Sequence, residues 1–474
     1  MAKEQQHNRQ GNEMVTPESP IADNTTRWSS SLAFILTATG TAVGLGNIWR
    51  FTFIAGENGG GLFVFIYFLT VVAVGLPIMI AELVAGRRGR GSPTQTVARL
   101  IKEARTGSAW MVIGALSVVI PFIGIGYYSV VSGWIIDYLV TFAGSGGFDG
   151  GGEQMAARFD GLMASPARLL FWHALFMAMV TLIVGRGLHN GIERAAKILM
   201  PALFIMLIGL VIYAAATADF ARAAAFLFQP DFSKFSGELV LLAVGQAFFS
   251  LAIGIGALMT FGSYLDDDTS LPKAAGVVAF ADTLVAILAG LAIFPLVFAN
   301  DLAANEGPGL IFITLPTAFA QMPGGYFVGT AFFVLLFFAA LTTGIGTMEP
   351  VVAWLSRKNI SRAKAALLVG PSAWFVGAIV ALSFNILGDI HPLSFIERFK
   401  EKGIFDVVDF TIASVLLPIN GLIIVLFVGW ALPKTMIASE FRRTGAFFHA
   451  WRFFVRFIAP IAIIAILVGG LSPP

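Results

Sequence analysis

The sequence predicts an all-α membrane protein of eleven transmembrane helices. They are arranged as two inverted five-helix repeats with unwound first and sixth helices, plus one extra C-terminal helix. Three observations carry this reading. Of 474 residues, 57% are hydrophobic and 12% charged, far from the balance of a soluble globular chain. Apolar stretches of about 20 residues recur, long enough to cross hydrocarbon as helices and without the alternation of barrel strands. Two of those stretches carry a polar, glycine-rich interruption at mid-depth. The helices are expected over 30–52, 60–86, 109–141, 168–185, 197–216, 237–265, 273–300, 326–356, 362–386, 406–432 and 448–471. This divides the chain into a tail (1–28), a first repeat (29–216), a second, inverted repeat (237–432), and a loop with the eleventh helix (433–474).

The tail is polar and lacks the basic, then briefly apolar, layout of a cleavable leader. It reads as a flexible cytoplasmic segment. The first helix contains "TATGTAVGLGNIWRF" (37–51). With a start near Ser30, residues 40–47 lie about 15–25 Å along the helix, close to the bilayer midplane. Gly40, Gly44 and Gly46 weaken helix there. Unwound backbone at that depth persists only where it is buried in protein or lines a polar cavity. Close packing through Gly40 and Gly44 explains the same glycines, and the first helix alone does not separate the two readings. The sixth span does, because "QAFFSLAIGIG" (246–256) places Ser250, Gly254 and Gly256 at similar depth, five helices later. An odd offset makes the two spans enter from opposite sides. Paired interruptions in inverted halves mark a transporter whose freed backbone binds a solute and a cation.

The connections add little chemistry. "GENGGG" (56–61) joins the first two helices, and "GSGGFDGGG" (144–152) lacks the lysine and preceding strand of a phosphate loop, so it reads as an exterior link. Cysteine is absent, which excludes disulfides and thiolate sites. His7, His173, His189, His391 and His449 show no ligand spacing, and nothing in the composition points to nucleic acid. With a cytoplasmic N-terminus, the Lys and Arg residues concentrate in inside segments. Only Arg158, Arg168, Arg222, Lys234, Arg398, Lys400 and Lys402 fall outside, and Arg50 lies within a span. The positive-inside bias therefore places the N-terminus in the cytoplasm and, after eleven spans, the C-terminus outside. The acidic loop "DDDTSLPK" (266–273) opposes that trend but weighs little in the rule.

The runs "GTAVGLGNIWRF" (40–51), "GENGGG" (56–61), "GYY" (126–128), "QAFFSLAIGIG" (246–256), "DTLVAILAGLAIFP" (282–295), "ITLP" (313–316) and "FFAALTTGIGTMEP" (337–350) follow in order. With them the chain resembles the neurotransmitter:sodium symporter family, in particular its bacterial amino-acid transporters, over about residues 28–471. The resemblance implies a multi-pass protein of the plasma (inner) membrane that couples sodium to import of a neutral amino acid. It implies a first sodium site at the Ala42 carbonyl, Asn47, Ser250 and Asp282, and a second at the carbonyls of Gly40, Val43 and Ala339 with the hydroxyls of Thr342 and Thr343. Oxygen donors of this kind suit a hard cation, although a threonine pair in a helix often bonds its own backbone. Relatives with asparagine at position 282 use chloride, or a carboxylate one turn on, for compensating charge. Here Asp282 is followed by Ala286, so transport is expected to be independent of chloride. An ionisable side chain inside a span favours a functional reading.

For the solute, the resemblance implies a carboxylate cradle of the backbone amides around Leu45 and Gly46 with the Tyr128 hydroxyl, and counts Ala42 and Ser250 among the substrate-binding residues. It implies a side-chain pocket of Gly124, Phe249, Ala252, Ile255, Thr343 and Thr347. Amine-carrying relatives have aspartate at position 44; Gly44 favours a zwitterion, and the small Gly124, Ala252 and Thr347 leave room for a large aliphatic or aromatic side chain. Pockets discriminate weakly by methylene count, so a broad range fits too. Arg50 and Asp409 correspond to the outer gate above a lid of Tyr128 and Phe249, and Gly191 with Pro201 to a motif that unwinds and hydrates the second ion.

Other positions depart from the family. Its inner-gate aspartate is Arg357, its N-terminal arginine falls at Thr25, and Thr52 replaces a proline. Trp28, Tyr264 and Glu349 offer another inner closure. A sodium-dependent sensor or channel on the same fold is the main rival. An enzyme using Asp282 and Glu82 is weaker, since no acid, base and nucleophile recur together and Glu82 suits the unwound backbone. The sequence carries no signal for oligomeric state.

Overall fold

The structure, a computed structural model, describes residues 26–148, 150–300, 309–356, 360–441 and 444–471. Arg357, Thr25 and nearly all of the tail lie outside the described residues. Among the described residues, nine helices are long and apolar enough to cross a membrane. They are α3 (Gly61–Gly89), α5 (Ser108–Gly144), α7 (Pro166–Gly185), α8 (Leu188–Thr217), α12 (Leu271–Ala299), α14 (Gly325–Ser356), α15 (Arg362–Leu382), α16 (Ile404–Ala431) and α18 (Ala446–Gly470). A tenth candidate is the pair α1 (Ser31–Ala42) and α2 (Gly46–Glu57), bent by 54° at its break. The sixth expected span is two pieces, α10 (Gly237–Ser250) and α11 (Ala257–Ser263). Shorter helices connect these: α4 (Pro93–Ala104), α6 (Gly152–Met163), α9 (Phe220–Phe228), α13 (Leu310–Gln321) and α17 (Lys434–Glu440).

Both breaks follow from local chemistry. Ser30 caps α1 by accepting from Ala33 N at 3.1 Å. The helix ends at Val43, whose ψ of 99 leaves the helical region, about 18 Å from its start at 1.5 Å per residue. Gly44 N, freed there, donates to Asn47 Oδ1 at 3.1 Å. In the second break φ is positive at Ala252 (51), Gly254 (80) and Gly256 (83); glycine accepts this without strain, and Ala252 is held there against its preference.

The freed backbone is satisfied by side chains from neighbouring helices. Glu82 Oε1 on α3 accepts from Gly254 N at 2.7 Å, and Asn420 Nδ2 on α16 donates to Gly254 O at 2.6 Å. Gln246 Nε2 on α10 reaches Gly46 O at 2.8 Å, tying one break to the other. These three side chains are fully buried, so the interruptions are built into protein and not exposed to lipid. The breaks share one core. α1 packs on α12 and α14, α14 packs on α5, α7 and α15, and α3 holds α10 and α11.

Candidate ion and substrate site

Asn47, Ser250 and Asp282 come from α2, α10 and α12 and meet where water is excluded, each at most 1% exposed. Asn47 Nδ2 donates to Ser250 Oγ at 2.9 Å, Asp282 Oδ1 at 2.8 Å and Asp282 O at 3.0 Å. Ser250 Oγ donates to Asp282 Oδ2 at 2.6 Å, and the Tyr67 hydroxyl reaches the same oxygen at 3.3 Å. A half-turn of the Asn47 amide, whose oxygen and nitrogen are sterically alike, would present its oxygen to this cluster. Amide, hydroxyl and carboxylate oxygens form a hard donor set suited to an alkali cation. Among the described residues no three His, Cys, Asp or Glu side chains gather into a metal site.

A second group of oxygens lies between α1 and α14. Thr343 Oγ1 donates across the interface to Val43 O at 3.2 Å and Gly40 O at 3.4 Å. Thr342 Oγ1 instead donates along its own helix, to Phe338 O at 2.9 Å and Ala339 O at 3.1 Å, as a helical threonine commonly does. A Cβ on Gly40 would stand 3.0 Å from Thr342 Cβ, so Gly40, Val43, Ala339, Thr342 and Thr343 are neighbours.

Between the two groups lies a cavity lined by Ala42, Leu45, Gly46, Gly124, Tyr128, Phe249, Ala252, Ile255, Thr343 and Thr347. Ser250 sits in the adjoining polar cluster. Thr41, Gly44, Tyr127, Ile412 and Leu417 complete the wall; of these Ile412 and Leu417 carry no signal in sequence beyond being apolar. The Tyr128 hydroxyl is buried in the cavity wall beside Thr343 and the Leu45 backbone, without a well-aligned hydrogen bond to either. A Cβ on Gly44 would come 2.6 Å from Thr343 Oγ1 and 3.3 Å from the Tyr128 hydroxyl, whereas one on Gly124 would meet nothing within 4 Å.

On one side of the cavity the Arg50 guanidinium lies 4.7 Å over the Phe249 ring. Arg50 faces the charge of Asp409, and Tyr127 lies beside both. The far side is sealed by the start of the described chain. Trp28 N donates to Tyr264 O at 3.1 Å and its indole nitrogen to Phe261 O at 3.0 Å. Tyr264 donates to Glu349 Oε1 at 2.8 Å, and Arg362 donates to the other Glu349 oxygen. Trp28, Tyr264 and Glu349 thus form one closure, and Arg362 is the member that sequence reading missed. Beside it, Glu193 Oε1 accepts from Ser29 N at 2.8 Å and Glu193 Oε2 from Lys197 Nζ at 3.1 Å. Gly191 packs where a Cβ would fall 1.9 Å from Ile183 O, and α8 runs wound through Pro201.

The sodium:neurotransmitter symporter family model matches residues 25–145 and 164–472. An uncharacterized sodium-dependent transporter of Bacillus subtilis, YhdH, is 36% identical, with 94% of this chain and 98% of that protein covered. A second, from Haemophilus influenzae, is 34% identical over 94% and 98%. The crystal structure of MhsT in complex with L-phenylalanine superposes with a TM-score of 0.85 at 40% identity, covering 94% of this chain and all of that one. The family is one of sodium-dependent transporters and not of enzymes. A fold with two interrupted helices around a buried oxygen-lined cavity, and a match over nearly the whole length, lead to one conclusion: this chain is a member of the sodium:neurotransmitter symporter family.

Proposed function

We propose that the protein imports a large neutral amino acid, aliphatic or aromatic, with two sodium ions and without chloride. The observation that carries this is the Gly44 face of the cavity. Thr343 leaves no room there for the side chain an amine substrate would need, while the buried Tyr128 hydroxyl, beside the Leu45 backbone at the break, can turn to donate to a carboxylate. The open space at Gly124 favours a long side chain, in keeping with the phenylalanine bound by MhsT. The first ion falls to Ala42, Asn47, Ser250 and Asp282, the second to Gly40, Val43, Ala339, Thr342 and Thr343.

Independence from chloride rests on Asp282. The Ser250 and Tyr67 hydroxyls, which would otherwise suit an anion, already converge on one of its oxygens. Alternating access follows from two closures on opposite sides of one site, Arg50 with Asp409 outside and the Trp28–Glu349 network inside. Each ligand biases that equilibrium only by its difference in affinity for the two states. In this reading α10 and α11 make one span, giving eleven in two inverted repeats, with the N-terminus cytoplasmic, the C-terminus outside and Gly191 to Pro201 as the stretch that unwinds.

Purified protein in liposomes with an inward sodium gradient should concentrate phenylalanine or leucine, and replacing chloride by gluconate should leave the rate unchanged. Binding without accumulation would instead favour a sensor, and collapse in gluconate would remove chloride independence.

A further inference from the structure

The start of α18 carries two arginines that the transport cycle does not use. Arg452 and Arg456 stand one helical turn apart, so both project from the same face. Arg456 is followed by the apolar run 457–470 of the same helix. Each has a buried Nε without a hydrogen-bond partner, and the two charges oppose one another. Among the described residues no carboxylate pairs with either. Glu440 on the neighbouring α17 is taken by Arg87, at 2.7 Å, and Arg88. Two neighbouring guanidiniums with no carboxylate partner at the end of an apolar span are costly unless an anion reaches them.

The surroundings are shaped for one. The Arg456 side chain lies in a recess at Gly429 of α16, where a Cβ would come 3.2 Å from its Cγ. Its guanidinium rests 4.1 Å over the Trp430 ring, and the Trp430 indole nitrogen donates to Arg456 O at 3.2 Å. Trp430 stacks edge-on to Phe457, and Phe457 against Phe453. These three rings are 52%, 41% and 52% exposed, a continuous aromatic wall beside the charges. Guanidiniums recognise phosphate by paired hydrogen bonds, and aromatic rings at a membrane interface pack against acyl chains.

We propose that this face of α16 and α18 binds an anionic glycerophospholipid, its phosphate between Arg452 and Arg456 and an acyl chain along Trp430, Phe453 and Phe457. Charge complementarity selects the occupant: a zwitterionic lipid brings its own cation to a site that already has two, and a free phosphate leaves the aromatic wall uncovered. Only the choice of leaflet, the cytoplasmic one, rests on the orientation proposed above.

Native mass spectrometry of the full-length protein, released from mixed micelles holding equal phosphatidylglycerol and phosphatidylcholine, tests this. Phosphatidylglycerol should be retained over phosphatidylcholine by on the order of tenfold. Arg452→Gln with Arg456→Gln should abolish the preference, and Trp430→Leu, which keeps both charges, should reduce it. Folding of each variant is checked separately by stabilisation with sodium and phenylalanine, which these residues do not touch. Equal retention of the two lipids by the wild type, or an undiminished preference in the double variant, would overturn the proposal. So would displacement of phosphatidylglycerol by an equimolar amount of inorganic phosphate, which would reduce the site to a simple anion pocket.

Discussion

A methyl group on Gly44 would stand 2.6 Å from the Thr343 hydroxyl, and one on Gly124 would touch nothing within 4 Å, although both glycines line the same cavity. The two positions should therefore answer substitution in opposite ways. Gly44→Ala pushes Thr343 away from the carbonyls of Gly40 and Val43, an overpacking of about 1–3 kcal/mol. Sodium-dependent stabilisation of the purified protein by phenylalanine should weaken at least tenfold. At position 124 a Cβ has open space, so Gly124→Val projects its methyls into the cavity and takes up the space a long side chain would use. Its melting temperature should stay within a few degrees of the parent, while uptake of phenylalanine falls about tenfold or more and uptake of alanine persists. Loss of both substrates alike would place the bound side chain elsewhere. In the proposed first ion site, Asp282→Asn would remove the balancing charge and leave the hydrogen-bond geometry nearly intact. Its uptake should fall at least tenfold in gluconate and recover in part when chloride is returned.

At the scale of the element, the sixth-helix break depends on side chains outside it. Glu82 is fully buried, and one of its oxygens accepts from Gly254 N while the other has no partner. Glu82→Gln keeps the accepting oxygen, and stability should change by less than about 1 kcal/mol. Glu82→Leu strands the amide and should cost about 1–3 kcal/mol, read as a lower melting temperature without sodium. The break itself was legible, because glycine pairs and polar residues in an apolar run are hard to place otherwise. Its residue count was not: a single helix over 237–265 gives way to a gap from Leu251 to Gly256 whose positive φ at Ala252 no composition reveals. The fifth helix begins at Leu188 and not at 197, since His189, Glu193, Arg194 and Lys197 read as a solvated loop until Ser29 is seen to satisfy Glu193. The connecting helices α4, α6 and α9 are short and amphipathic, below the length at which an apolar pattern announces a span. In the cavity, Gly44, Tyr128 and the threonine pair were legible through the family resemblance, whereas Ile412 and Leu417 differ in no local feature from lipid-facing neighbours.

On the side of the cavity opposite Arg50, the whole molecule is held closed by a charge with nowhere else to go. Glu349 is fully buried and is shared by Tyr264 and by Arg362, whose Nε also donates to Val184 O at 3.0 Å. In sequence Arg362 is one basic residue among many at a helix start; only the approach of α14 to α15 makes it the partner of Glu349. Because Tyr264 is bound in turn to Trp28, this one ion pair links α14 and α15 to α11 and the chain before α1. Removing one member of a buried pair leaves the other uncompensated, at a cost of about 3–5 kcal/mol, and opening to water on that side, the cytoplasmic one in the orientation proposed above, is the least expensive relief. Arg362→Gln should therefore shift the population towards the inward-open state. Backbone hydrogen exchange over residues 27–31 and 260–265 should accelerate by tenfold or more, and phenylalanine affinity in sodium should fall as the occluded state is lost. Removing both charges, with Arg362→Met and Glu349→Gln, leaves no stranded ion, so exchange in the double variant should return most of the way to the parent. If the single variant exchanged no faster than the parent, closure would reside in the Trp28 contacts alone, and the pair would only fill space between two helices.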